Sequence, residues 1–85
     1  MIIFHRHFEK RYAKISSAQQ KQVKERLSIF ARNPFDAVLQ NHSLHGKYQG
    51  YRSINISGDW RAVYKFREDG AMIFVDLGTH SELYS

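Results

Sequence analysis

The chain has 85 residues, enough for one domain with a modest core and too few for two. Its 42% hydrophobic content, with six Phe, five Tyr and one Trp, excludes a disordered chain, and the lack of any cysteine excludes both a disulfide framework and a thiolate metal site. Thirteen Lys and Arg against eight Asp and Glu give a net charge of +5, which favours polyanionic partners, nucleic acid first.

The first residues reach a charge at Arg6 without building a signal-peptide core, and no later run approaches the roughly 20 apolar residues of a membrane span. A cytoplasmic protein with no membrane contact is the expectation. Residues 2 to 5 (Ile-Ile-Phe-His) are β-prone and read as a short first strand. Phe8, Tyr12 and Ile15 then recur at the spacing of one helical face, with Arg6, Glu9, Lys10, Arg11 and Lys14 elsewhere on the wheel. Ser16/Gln19 and Ser17/Gln20 each fit a capping box that opens a second helix, whose apolar stripe is Val23, Leu27 and Phe30. Asn33-Pro34 ends it, because proline disfavours helical geometry in the residue before it. The two helices predict a helical hairpin.

Residues 35 to 50 lack a period and read as loop, with one helical turn around Asp36 to Leu39. The period then changes to two. Residues 51 to 57 and 60 to 67 flank the turn Gly58-Asp59 as a β-hairpin, and Glu68-Asp69-Gly70 turns into a strand from Ala71 to Leu77. The fold class is therefore α+β: an N-terminal strand, a helical hairpin packed on a small antiparallel sheet, and a short C-terminal tail or helical turn. The whole of residues 1 to 85 forms one domain.

Alternation assigns Trp60, Ala62, Tyr64 and Phe66 to the helix-packed face of one strand and Arg61, Val63, Lys65 and Arg67 to an open face where a phosphate chain could lie. In the preceding strand Arg52 shares a face with Ile54 and Ile56, and Tyr51, Ser53 and Asn55 share the other; which is outward depends on register. Five histidines stand at 5, 7, 42, 45 and 80. No pair has the spacing of a metal-binding helix, and with no carboxylate or cysteine beside His5 and His7, no metal and no cofactor is expected. His80 follows the last strand, where a scaffold holds a side chain firmly while leaving it reachable. Its ordinary pKa suits acid or base work at neutral pH.

Three segments carry a resemblance: His42-x-Leu44-x-Gly46-x-Tyr48-x-Gly50-Tyr51-Arg52, then Gly58-Asp59-Trp60-Arg61-x-Val63-Tyr64, then Gly78-Thr79-His80-x-x-Leu83-Tyr84. Their spacing resembles the YafQ branch of the RelE/ParE toxin superfamily over nearly the whole chain. The resemblance implies the toxin of a type II toxin-antitoxin pair, a metal-independent endoribonuclease that cuts mRNA at the ribosome, together with a cognate antitoxin that blocks its site. It further implies that His42, Asp59 and His80 are catalytic, that Arg61 contacts the scissile phosphate, and that Arg52 is another recurrent basic position. Trp60 and Tyr84 match functional aromatic positions. Asn55 departs from the pattern, standing where the best-known members have a second active-site histidine, so either Asn55 positions RNA or His42 and Asp59 carry the base role.

Cleavage without a metal needs a base for the 2′-OH, cations for charge developing on phosphate, and an acid for the departing 5′-oxygen. The expected assignment is His80 as principal acid-base residue and Arg61, aided by Arg52 or Lys65, at the phosphate, with Asp59 or His42 completing proton transfer. Arg52, Asn55, Trp60, Lys65 and Tyr84 are expected to bind RNA. Bland readings stand beside these: Trp60 as a cap on the core, Tyr84 as packing against the first helix, Asp59 as a turn residue. The alternatives in function are a ParE-like inhibitor of a protein target such as gyrase, and an inactive relative that only binds an antitoxin. The free toxin is expected to be a monomer.

Overall fold

A computed structural model describes residues 1–84. The elements are β1 (Ile2–Phe4), α1 (Arg6–Lys14), α2 (Ser17–Arg32), β2 (His42–Ser43), β3 (Arg52–Ser57), β4 (Trp60–Phe66), β5 (Met72–Thr79) and α3 (His80–Tyr84). Single 3₁₀ turns lie at Ala37–Leu39 and Gly46–Tyr48. The sheet runs β1-β5-β4-β3-β2. The expected meander is present as β3, β4 and β5, but the sheet is mixed rather than wholly antiparallel, because β1 adds parallel to β5 through Ile2↔Met72 and Phe4↔Phe74. β2, pairing His42 with Ser53, is a further strand that two residues in a loop could not announce.

Helix starts follow local chemistry. The His5 imidazole accepts from the His7 N–H at 3.1 Å and caps α1. Ser16 and Gln19 form the capping box of α2, their reciprocal contacts both 3.1 Å. Gln20 is thereby free of the box, and its side chain donates to the Tyr12 carbonyl at 2.9 Å, tying α2 back to α1. Val23 and Phe30 of α2 are fully buried. Phe30 meets Tyr64 (4.9 Å) and Phe74 (5.1 Å) edge to face, a favoured arrangement for aromatic quadrupoles.

Two corrections concern the sheet faces. Phe66, expected in the core, is 53% exposed, because β4 runs past the cover of the helices before it ends. Val63, expected on an open face, is wholly buried: Leu44 and Leu83 close over it as a second small core on the side away from α1 and α2. That face is therefore open only on either side of this cluster. A bulge at Val75 completes the pattern, since Val63 pairs with Asp76 and Tyr64 with Phe74, leaving Val75 unpaired. The extra residue keeps Leu77 in the main core while Val75 and Asp76 both stay on the second face.

Candidate active site

The second face carries a cleft of about 420 Å³ whose walls include His42, His45, Arg61, His80 and Tyr84. Three parts of the chain converge here: β2 with the residues after it, the outward side of β4, and the start and end of α3.

Arg61 lies at the bottom, 8% exposed. Asn55 lies directly across the β3–β4 ladder from it, so Ser53 is its diagonal neighbour on the same face. Arg61 Nε donates to Ser53 Oγ at 2.8 Å, and Nη2 donates to the carbonyls of Gln40 (3.0 Å) and Ser53 (3.3 Å). Neutral acceptors thus hold the guanidinium. Among the described residues no ion pair involves it, and Nη1 makes no hydrogen bond. Burial pushes its pKa below the usual arginine value, an effect that neighbouring Tyr84 partly offsets. The result is a buried cation with unused donors and no resident counter-charge, a state that a bound anion relieves.

Gln40 makes this arrangement possible. It is the single non-glycine residue with positive φ (47°) among the described residues, closing the 3₁₀ turn in the left-handed region. Its carbonyl is also 2.9 Å from His42 Nδ1. A carbonyl only accepts, so this contact requires the proton on Nδ1 and leaves the lone pair of neutral His42 on Nε2. Arg61 Nη2, 3.3 Å from the same nitrogen, then donates to the Gln40 oxygen rather than to the ring.

His80 is exposed at the first position of α3, and its N–H donates to the Asp59 carbonyl at 3.0 Å. Its ring stands edge-on to Tyr84 at 4.7 Å, one helical turn away. The Tyr84 hydroxyl is buried close to the Arg61 guanidinium, whose pKa it helps to hold up, yet no hydrogen bond of ordinary length and angle joins it to Arg61 or to any other described residue. Behind it, Thr79 and Glu82 form a capping box, the Thr79 N–H donating to Glu82 Oε1 at 2.8 Å and the Glu82 N–H to Thr79 Oγ1 at 3.3 Å. Arg11 of α1 pairs with Glu82 at 3.2 Å and donates to the Leu77 carbonyl at 2.9 Å, fastening α3 to the body of the protein. The small Gly78 leaves room for this clamp, because a Cβ there would lie 2.6 Å from the Arg11 guanidinium and push that side chain aside.

Of the residues singled out in the sequence, His42, Arg61, His80 and Tyr84 are brought together, and the others are not. Asp59 is exposed in the β3–β4 turn and serves His80 through its backbone. Asn55 shares Arg61's face, but its amide donates to the Gly58 carbonyl at 3.0 Å and closes the same turn. Trp60 lies on the helix side, packed against the main core in a separate cleft with Arg11, Ile15 and Glu82. Arg52 is on the helix side too, opposite Tyr64, donating to Asn41 Oδ1 at 2.8 Å and lying over the Phe35 ring. It is therefore not beside Arg61. Lys65 shares Arg61's face but lines a neighbouring cleft. Gln40, Ser53 and His45 went unassigned in the sequence. A serine alternating with isoleucines is a weak trace of Ser53's role, and nothing in the sequence marks Gln40, since glutamine rarely takes the left-handed conformation.

Comparison with known proteins agrees with this architecture. The family described as the bacterial toxin of a type II toxin-antitoxin system, YafQ, matches residues 1–85. Among solved structures, YafQ from E. coli strain BL21(DE3) is 24% identical with a TM-score of 0.80, covering 100% of this chain and 98% of that one. The E. coli DinJ-YafQ complex is 26% identical with a TM-score of 0.68, covering 100% and 98%. A YoeB/ParE toxin from Agrobacterium tumefaciens, 17% identical with a TM-score of 0.75 over 93% and 96% of the two chains, shares the fold. A search of curated proteins returns no significant match. With the RelE-like fold in place and the match running from the first residue to the last, this chain belongs to the YafQ family of toxins of type II toxin-antitoxin systems.

Proposed function

We infer that the protein is an endoribonuclease that stops translation by cutting mRNA, and that the cleft holding His42, Arg61 and His80 is its active site. The observation that carries this reading is Arg61, a buried guanidinium with no carboxylate partner, lining one cleft with two imidazoles. A phosphodiester supplies the missing charge, and the planar fork of arginine suits its oxygens. His42 Nε2 takes the proton of the 2′-OH, O2′ attacks phosphorus, and the bond to the 5′-oxygen breaks as His80 protonates that oxygen. The products are a 2′,3′-cyclic phosphate and a 5′-OH. Arg61 donates to the oxygens that gain charge in the phosphorane, the kind of donor whose loss costs about 10²- to 10³-fold in rate. Tyr84, its hydroxyl unpartnered, adds a donor or a ring for an adjacent base. No step requires a metal ion.

A cognate antitoxin is the proposed protein partner, supported by the DinJ-YafQ complex and by the YoeB-YefM complex of Staphylococcus aureus, and favoured electrostatically by the +5 charge of the chain. The ribosome is the proposed place of cutting, and the cytoplasm the proposed compartment. No helix among the described residues is long and apolar enough to cross a membrane.

Purified protein, with His80→Ala and Arg61→Ala variants, incubated with free RNA and with mRNA-programmed ribosomes tests the reading. Cuts ending in cyclic phosphate are expected from the unsubstituted protein, with cutting lost in both variants. Undiminished cutting by both variants sinks the assignment of the site, and no cutting on either substrate sinks the activity.

A further inference from the structure

A second cleft, of about 510 Å³, opens on the same sheet face and shares no lining residue with the first. Its volume lies in the usual range for small-ligand sites, about 300 to 1,000 Å³. Between the two clefts lies the small cluster of Leu44, Val63 and Leu83, and against it Tyr48 of the second cleft meets Tyr84 of the first edge-on at 6.2 Å. The two clefts thus adjoin through this pair of rings.

The chemistry of the second cleft is specific. Its floor is Ile73 and Val75 of β5, and Tyr48 and Tyr51, perpendicular to each other at 5.7 Å, stand in its lining. Lys47 Nζ lies 5.4 Å from the Tyr48 ring centre and Lys65 Nζ 5.5 Å from that of Tyr51, so two ammonium groups sit over two π-faces. His5 and His7 complete the lining on the β1 side. The one carboxylate, Asp76, is occupied: Tyr48 OH donates to Oδ2 at 2.6 Å, the Leu77 N–H donates to Oδ1 at 2.8 Å, and His7 Nε2 is 3.2 Å from Oδ1. Asp76 thus fixes Tyr48 in place, and both its oxygens are already engaged by donors from within the protein. The bulge at Val75 is what brings Val75 and Asp76 to this face together.

We propose that this second cleft is a binding subsite for one nucleotide of single-stranded RNA, with its base against Tyr48 or Tyr51 and its phosphate met by Lys47 and Lys65. The proposal deepens the endoribonuclease reading and rests on it in taking RNA as the occupant. A base has a π-face that stacks on tyrosine whatever its identity, and single-strand sites combine such rings with cations that track the backbone. A base arriving on either ring displaces the lysine over it towards the phosphate that the base carries. An acidic peptide fits less well. At Ile73 the floor is central sheet, with β5 paired to β1 on one side and to β4 on the other, so an extended peptide finds no free edge there.

The test is fluorescence anisotropy with a short labelled single-stranded RNA, 2′-O-methylated so that it cannot be cut, titrated with the full chain and its Tyr51→Leu and Lys47→Ala/Lys65→Ala variants. Thermal melting confirms that each variant is folded. Tyr51→Leu is expected to weaken binding roughly 10- to 100-fold, the loss of one stacked base. The double lysine variant is expected to reduce the slope of log affinity against log salt by about 0.7, the loss of one phosphate contact on a single strand. RNA binding by both folded variants equal to that of the unsubstituted protein overturns the subsite. Weakened binding of a labelled glutamate decapeptide, with RNA binding intact, overturns it in favour of an acidic protein segment. If the unsubstituted protein binds this RNA but cuts neither its 2′-OH counterpart nor mRNA on programmed ribosomes, the endoribonuclease reading falls and the variants still decide the subsite. No RNA binding by the unsubstituted protein overturns the subsite directly.

Discussion

Arg61 and Tyr84 meet in the cleft with opposite deficits: the guanidinium has donors to spare, and the hydroxyl lacks a partner. Each makes a prediction at the level of one side chain. Arg61→Lys keeps the charge but cannot hold Ser53 Oγ while also presenting a fork to phosphate, so single-turnover RNA cleavage should fall at least about tenfold, and Arg61→Ala should lose about 10²- to 10³-fold. Tyr84→Phe separates structure from function. A buried hydroxyl without a partner costs about 1–3 kcal/mol, so its removal should leave stability unchanged or raise it by up to about 1 kcal/mol in urea unfolding. Cleavage by the same variant should drop if the hydroxyl serves the reaction. A variant both less stable and fully active refutes this reading of Tyr84.

Among the elements, α3 is the one that positions the proposed catalytic groups, because its first residue is His80 and its last is Tyr84. Five residues cannot hold a helix by propensity, so the Thr79–Glu82 box and the Arg11 clamp do so. Thr79→Ala removes the capping hydroxyl and should cost about 1 kcal/mol in thermal unfolding, with a fall in kcat that exceeds any change in KM as His80 loses its placement. Gly78→Ala should act in the same direction by pushing the Arg11 guanidinium off both partners. The β4–β5 turn gives a pH prediction. Arg67 holds both oxygens of Asp69, at 2.9 and 2.6 Å, and lowers its pKa from 3.8 to about 2. The backbone and hydroxyl of Thr79, with Arg11 beside them, depress Glu82 as well. Both groups bind fewer protons folded than unfolded, so their contributions are complete above the unfolded pKa and are lost as pH falls through the folded one. Asp69→Asn should flatten the fall in Tm between pH about 4 and about 2 relative to the unsubstituted protein, and an unchanged acid limb in a melting series counts against the pairing.

For the whole molecule, the main core and the proposed site are divided between the two faces of one sheet. The helix side holds the main core around Phe30, Tyr64 and Phe74, and the other side holds the small cluster at Val63 with a cleft on each flank. Phe30→Ala should cost about 3–5 kcal/mol, a large share of the 5–15 kcal/mol typical of a domain, and unfold the protein or nearly so by circular dichroism at 37 °C. The sequence by itself determined the helical hairpin and the meander. Capping boxes, proline and strict alternation act over two to four residues and need no knowledge of the rest of the chain. Through the resemblance of three motifs it also grouped His42, Arg52, Asp59, Trp60, Arg61, His80 and Tyr84 as one expected site. Only the tertiary structure decided which residues meet. The β3–β4 register put Arg52 on the helix side, the start of β4 carried Trp60 there as well, and the left-handed turn at Gln40 aimed a carbonyl at Arg61 and His42. The bulge at Val75 gave Asp76 to the second cleft. Register and bulges depend on pairings between distant segments, and one residue of slip reverses a face, so local pattern is silent on them.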